Sequence, residues 1–167
     1  MPEGSTYIVV TPTADTQGDS VEMEFVLPVG CIPPPPHVHP GQVESYEVIE
    51  GSFDVMVDGE WKTLSPGESA SVPVGAMHTF RNRSGKTVRV RNWHRPAKRF
   101  EQFIERMHES LAEAGIRRKR DPRLLLCLSA VILEYPETLV PARGRDRAAA
   151  RLLAGLGRLM DVPRGSR

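Results

Sequence analysis

Cysteine is scarce in this chain: Cys31 and Cys127 are the only two in 167 residues. A pair so far apart makes no disulfide framework, and free thiols in a reducing cytosol are expected. Net charge is scarce too, at +1. A chain so nearly neutral is not drawn as a whole to nucleic acid or to an anionic membrane. Long apolar runs are missing. The longest, Leu124 to Leu133, contains Ser129 and is about half of the ~20 residues that span a bilayer. Met1 to Val10 has neither the basic start nor the apolar core of a secretory signal. These absences lead to the expectation of a soluble, cytoplasmic protein with no membrane and no nucleic-acid partner.

What is present fits one domain with a sizeable core. Apolar side chains make up 40% of the residues, as in an ordinary globular chain. The charge is uneven. Residues 1–97 hold 7 Lys/Arg against 12 Asp/Glu, and residues 98–167 hold 15 against 9. The acidic part carries short strand patterns broken by Gly and Pro. Thr6 to Thr11 is rich in β-branched residues, and Val21 to Leu27 alternates with a period of two. Further strand candidates are Glu44 to Glu50, Phe53 to Val57, Trp61 to Leu64, Ser69 to Pro73, His78 to Arg81 and Lys86 to Trp93. Asp58-Gly59 is the strongest hairpin signal in the chain. Many short strands with such turns predict an all-β sandwich or barrel over residues 1–97.

The pattern changes after Pro96. Phe100, Phe103, Ile104, Met107 and Leu111 recur at helical spacing, and Gly115 is a natural stop. Pro122 suits a first helical turn. The segment from Leu124 to Leu133 is apolar nearly all round, which predicts a helix buried on most sides, ended by Pro136. A third helix, Asp146 to Met160, would set Leu152, Leu153, Leu156 and Met160 on one stripe. Residues 98–161 thus read as about three helices packed on the barrel or on a dimer partner. The end of the chain, 162–167, includes Val162-Pro163-Arg164-Gly165-Ser166, the pattern left by a thrombin site, and is set aside.

Chemistry concentrates at His37-Val38-His39. Residues two apart on a strand share a face, so both imidazoles can enter a barrel together. Glu44 follows across a Pro40-Gly41 turn, and His78 arrives from a strand far along the chain. Three imidazoles and one carboxylate form a mixed nitrogen and oxygen set for one borderline divalent ion such as Fe, Mn, Co, Ni, Cu or Zn.

In these residues the chain resembles the cupin superfamily. The first cupin motif reads Gly30, His37, His39, Glu44, Gly51, with one extra residue between Gly30 and His37. The second reads Gly67, Pro73, Gly75, His78, Asn82. The resemblance covers about residues 20–95. It implies a cupin β-barrel (a double-stranded β-helix or jelly roll) with metal ligands His37, His39, Glu44 and His78. It implies turn roles for Gly51, Gly67 and Gly75, and a backbone-tying role for Asn82. Stand-alone cupins with this ligand set resemble dioxygenases, isomerases, cyclases and decarboxylases. The leading expectation is therefore a metal-dependent oxygenase or dioxygenase acting on a small organic molecule. The alternative is a metal-containing sensor or ligand-binding module without catalysis; no added helix-turn-helix pattern is legible, which weighs against a DNA-binding regulator.

Near the ligands, Glu44 and Tyr46 are the candidate catalytic groups. Gln42, Tyr46, Met77 and Phe80 are the candidate substrate pocket. His94 and His108 lie outside both motifs; His108 is expected to be solvated and His94 to take no part in the site. The run Arg117-Arg118-Lys119-Arg120 is read as charge near a helix end rather than a nucleic-acid patch. Open sheet edges and an apolar tail predict a homodimer.

Overall fold

The computed structural model describes residues 1–159. Nine strands come first: β1 (Thr6–Thr11), β2 (Val21–Leu27), β3 (His37–Val38), β4 (Val43–Glu50), β5 (Phe53–Val57), β6 (Glu60–Leu64), β7 (Ser69–Val72), β8 (His78–Arg81) and β9 (Val88–Arg95). Then follow α1 (Phe100–Glu113), α2 (Arg123–Glu134), the short β10 (Val140–Pro141) and α3 (Gly144–Leu159). The strands make two five-stranded antiparallel sheets, in the orders β1-β2-β9-β4-β7 and β10-β3-β8-β5-β6. No described helix is long and apolar enough to cross a membrane.

The alternating sequence dictates this packing. On β2, Val21, Met23, Phe25 and Leu27 are buried while Glu22, Glu24 and Val26 between them are not. They join Val48, Phe53, Val55, Val88 and Val90 in one core between the sheets. The β5–β6 hairpin turns at Asp58-Gly59, where both residues have positive φ, 48° and 95°, the geometry that a two-residue I′ turn needs. Gly51 also has positive φ, 86°, and a Cβ there would meet Val88 Cγ2 at 2.9 Å. Neither the backbone shape nor the space admits another residue. Asn82 ties down backbone as its motif position implies, its amide donating to the carbonyls of Leu27 and Lys86.

The helices lie on the barrel and share its core. Phe100, Phe103 and Ile104 of α1, with Val131 of α2 and Tyr135, belong to the same buried cluster as the strand residues. Each such side chain contributes about 1.5–3 kcal/mol when fully buried, enough to hold α1 down. Two expectations for the tail need correction. On α2 one side is open, with Leu125 60% and Leu133 38% exposed. On α3 the stripe is reversed: Leu152 and Leu156 face outward, and Ala150, Ala154 and Gly157 are buried. The reason is close approach. A Cβ on Gly157 would sit 3.4 Å from Leu126 Cβ, so small residues, not leucines, fit between α2 and α3. Met160 and residues 162–167 lie outside the described residues. The strand β10 was not anticipated; two residues, one of them Pro141, carry no period that a sequence reading can use.

Candidate metal centre

Four strands from both sheets meet at one end of the barrel. In the second sheet His37 on β3 is the direct partner of His78 on β8. In the first, Glu44 on β4 is the direct partner of His94 on β9. His39 follows β3 and swings between them. One ligand atom each from His37, His39, Glu44 and His78 lie within 4.8 Å of one another, and all four residues are buried. The ring centroids of His37 and His78 are 4.1 Å apart, and those of His39 and His78 are 4.9 Å apart.

Each histidine is aimed by its own backbone bond. Nδ1 of His37 lies 2.9 Å from the Pro35 carbonyl oxygen, and Nδ1 of His78 lies 3.0 Å from that of Ala76. Nδ1 of His39 pairs with the carbonyl of Thr138, just before β10. A carbonyl only accepts, so each Nδ1 carries a proton and each Nε2 is the nitrogen turned inward, the one open to a metal. This outer-layer bonding is what fixes the tautomer of a metal-binding histidine.

The inward atoms are otherwise poorly satisfied. His39 Nε2, His78 Nε2 and Glu44 Oε2 are buried without a well-directed hydrogen bond, although His78 Nε2 approaches Glu44 Oε2 to 2.8 Å and His39 Nε2 approaches it to 3.5 Å. Buried polar atoms normally find partners, and a divalent cation among them would satisfy all of these at once. The donor set, three imidazole nitrogens and a carboxylate, fits such an ion.

The electrostatics agree. Burial, with the neighbouring His78 and His39, holds the His37 imidazole well below its usual range, so it stays neutral. For Glu44, burial pushes upward, but the rings of His94, His39 and His78 outweigh it and the carboxyl stays well below the usual range. For His78, burial pushes downward, and the bond and charge of Glu44 outweigh it, raising the imidazole. A metal arriving at His78 therefore displaces a proton.

Two residues outside the predicted site lie against the other carboxylate oxygen, and one of them bonds it. Asn92 Nδ2 donates to Glu44 Oε1 at 2.8 Å, and His94 Nε2 lies 3.2 Å from the same atom. Both are fully buried. His94 is thus no bystander, contrary to expectation: it stacks on Phe100 with centroids 3.4 Å apart, and burial pushes its imidazole down to about 4. The readable signal was the inward face of β9. Val88, Val90, Asn92 and His94 all face the core, and two polar groups on an apolar face call for a buried partner. His108 also departs from expectation. It is half-buried against Tyr7, ring centroids 5.7 Å apart, because α1 lies across β1.

The other candidates are distributed as follows. Phe80 lines a cavity of about 140 Å³ that opens onto His37, His39 and Glu44. Tyr46 lies deeper, 1% exposed, beside Phe53 and Phe80, and its hydroxyl has no hydrogen-bond partner. Burial and the charge of Glu44 push its phenol well above the usual range. Gln42 is fully buried and its amide donates to the carbonyls of Pro96 and Ala97, which joins the start of β4 to the end of β9. Met77 accepts from the backbone N–H of Asp58 and donates its own N–H to the Asp58 carboxylate at the β5–β6 turn. Of the four candidate pocket residues only Phe80 lines the cavity; Gln42, Tyr46 and Met77 do not.

The family model for the cupin domain matches residues 23–94. This chain carries a cupin domain. Beyond the family, the cupin resembles the TT1209 protein of Thermus thermophilus, with 29% identity, a TM-score of 0.52, and 58% of this chain and 88% of that one covered. Among curated proteins it is 42% identical over 48 residues to the HTH-type transcriptional regulator SutR of Escherichia coli K12, which is 29% of this chain and 27% of that protein. It is 36% identical over 53 residues to the quercetin 2,3-dioxygenase of Bacillus subtilis 168, which is 32% of this chain and 16% of the enzyme. The aligned stretches span less than a third of either curated relative. The family match ends before the three helices begin.

Proposed function

We propose that this cupin is a metal-dependent enzyme of the oxygenase or dioxygenase type, acting on a small organic molecule at an ion held by His37, His39, Glu44 and His78. The observation that carries the metal is the convergence of four buried ligand groups within 4.8 Å, with the three imidazoles oriented by backbone carbonyls. The likeness to a quercetin 2,3-dioxygenase supports the oxygenase type. An ion bound there would act as a Lewis acid toward a substrate oxygen and offer open coordination positions.

The chain's own residues supply the rest. Asn92 holds one oxygen of Glu44, with His94 beside it, so the other is presented to the ion. Glu44 serves as ligand and as proton acceptor. Tyr46 keeps its proton, since burial and the adjacent carboxylate both oppose ionisation, which leaves it a proton to donate. The helices exclude water from the cavity beside the ligands.

Elemental analysis of protein purified without added metal tests this reading. One equivalent of a divalent transition metal is expected, falling sharply in His37→Ala and in His78→Ala. Stoichiometric metal in both variants would refute the site. Oxygen uptake with a panel of small phenols and acids tests the reaction type. The second reading, a ligand-binding sensor, is favoured by the likeness to the regulator SutR. It predicts ligand-induced melting shifts with no turnover on any loaded metal.

We also infer a cytoplasmic homodimer. Both cysteines are buried free thiols, suited to a reducing compartment. Leu125, Leu152, Leu156 and Leu159 leave an apolar face on α2 and α3, each at least half exposed, and a second copy would cover it. Light scattering that reads a monomer would contradict the dimer.

A further inference from the structure

The cavity that opens onto the ligand cluster is walled almost entirely by hydrocarbon. Phe25 and Phe80 come from the barrel, Phe103 and Ile104 from α1, and Leu128 and Ile132 from α2. Pro33 to Pro36 close it on the loop before β3. Among the described residues, no Lys, Arg, Asn or Gln side chain lines it; its ionisable groups are His37, His39 and Glu44 at one end, the phenol of Tyr7, and the Met1 terminus, whose ammonium already donates to the Ser5 carbonyl. A carboxylate or phosphate lodged among these hydrocarbon side chains would lose its hydration with no Lys or Arg side chain to pair with, and in the metal-free protein it would also meet the Glu44 charge. A neutral apolar body loses nothing by entering. The volume, about 140 Å³, matches the scale at which a hydrocarbon-lined cavity accepts a single benzene ring.

We propose that the cupin takes an uncharged, single-ring compound whose ring fills the cavity between the barrel and helices α1 and α2, and whose one oxygen faces His37 and His39. This rests on the metal reading only for the oxygen; the ring is selected by the cavity itself. The C-terminal helices are therefore the specificity element. They convert an open barrel mouth into an apolar chamber that favours an uncharged ring over the body of a dicarboxylate or sugar acid.

Thermal unfolding of the full chain, metal-free and zinc-loaded, with phenol, toluene or succinate, tests the proposal. Phenol and toluene have nearly the same shape and differ in the oxygen. Both are expected to raise Tm in both forms, by roughly 3–6 °C at ten times the Kd. Phenol should exceed toluene only in the zinc-loaded form. In the metal-free form, where no ion can coordinate its carboxylates, succinate should leave Tm unchanged. In Leu128→Phe and in Ile132→Phe, which fill the chamber, the toluene shift should vanish while zinc content stays at that of the unaltered protein. If the phenol and toluene shifts are equal in both forms, the oxygen's placement and the metal reading fail while the cavity reading stands. A larger metal-free shift with succinate than with toluene overturns the chamber, as does a toluene shift that survives both fillings. The ligand panel on the unaltered protein decides the question even if neither filled variant folds.

Discussion

Asn92→Ala removes a short hydrogen bond to Glu44 and a longer one to the Ser45 carbonyl, at 3.4 Å, so its effect can be worked from the first. The amide donates to Glu44 Oε1 at 2.8 Å, with Asn92 0% and Glu44 3% exposed. Hydrogen bonds to a charged group contribute about 1.5–3 kcal/mol. Loss of the donor leaves His94 as the neighbour of that oxygen, at 3.2 Å, and frees the carboxylate to rotate away from its ligand position. For outer-layer partners of metal ligands the usual cost is about 10–100-fold in metal affinity, which is about 1.4–2.7 kcal/mol and so agrees with the bond energy. The variant should bind zinc about 10–100-fold more weakly in competition with a chromophoric chelator. Without metal its Tm should fall by roughly 3–12 °C, from about 2–4 °C per kcal/mol. Zinc affinity within twofold of the parent would show that Asn92 does not set the carboxylate, and the reasoning would fail.

Three further outcomes follow from the same contacts. His94 is neutral in the fold, with its imidazole pushed to about 4 from an ordinary 6.5 by burial; the unfolded chain binds the extra proton between those values, so metal-free stability should fall as pH drops from 6.5 toward 4, by up to about 3 kcal/mol. Urea midpoints flat across that window would contradict it. Phe100→Ala strips the ring stacked on His94 at 3.4 Å and should cost about 3–5 kcal/mol in urea denaturation; a loss under about 1 kcal/mol would mean that α1 is not anchored there. Tyr46→Phe keeps the packing against Phe53 and Phe80 and removes the buried hydroxyl; metal content should hold while turnover falls about 10²–10⁴-fold if the phenol donates a proton, and unchanged turnover would retire it from the mechanism.

The strands were legible because inward and outward residues alternate, and β2 is the plainest case: Val21 to Leu27 reads as a half-buried strand and is one. The ligands were legible because two motifs in order leave few other meanings for His37, His39, Glu44 and His78. The support around them was not. Asn92 and His94 sit on β9 among valines, and only the pairing of β9 with β4 brings them to Glu44. That register is a long-range fact with no local mark. The bond from His39 to Thr138 spans 99 positions and depends on β10, which no periodicity announces. The α3 stripe misled because leucines at helical spacing usually mark the buried side; here close packing against α2 favoured Ala150, Ala154 and Gly157 instead. Helix patterns show that a face is apolar, and the neighbour's distance decides which face is used.

X-ray absorption at the edge of the bound metal, on protein loaded with one equivalent of zinc, reads the ligand shell itself. Three imidazoles and one carboxylate oxygen are expected, at about 2.0–2.2 Å, with the multiple scattering of rings coordinated through Nε2. A shell of water and carboxylate oxygens without imidazole scattering, or one containing sulfur from Cys31 or Cys127, would contradict the metal centre.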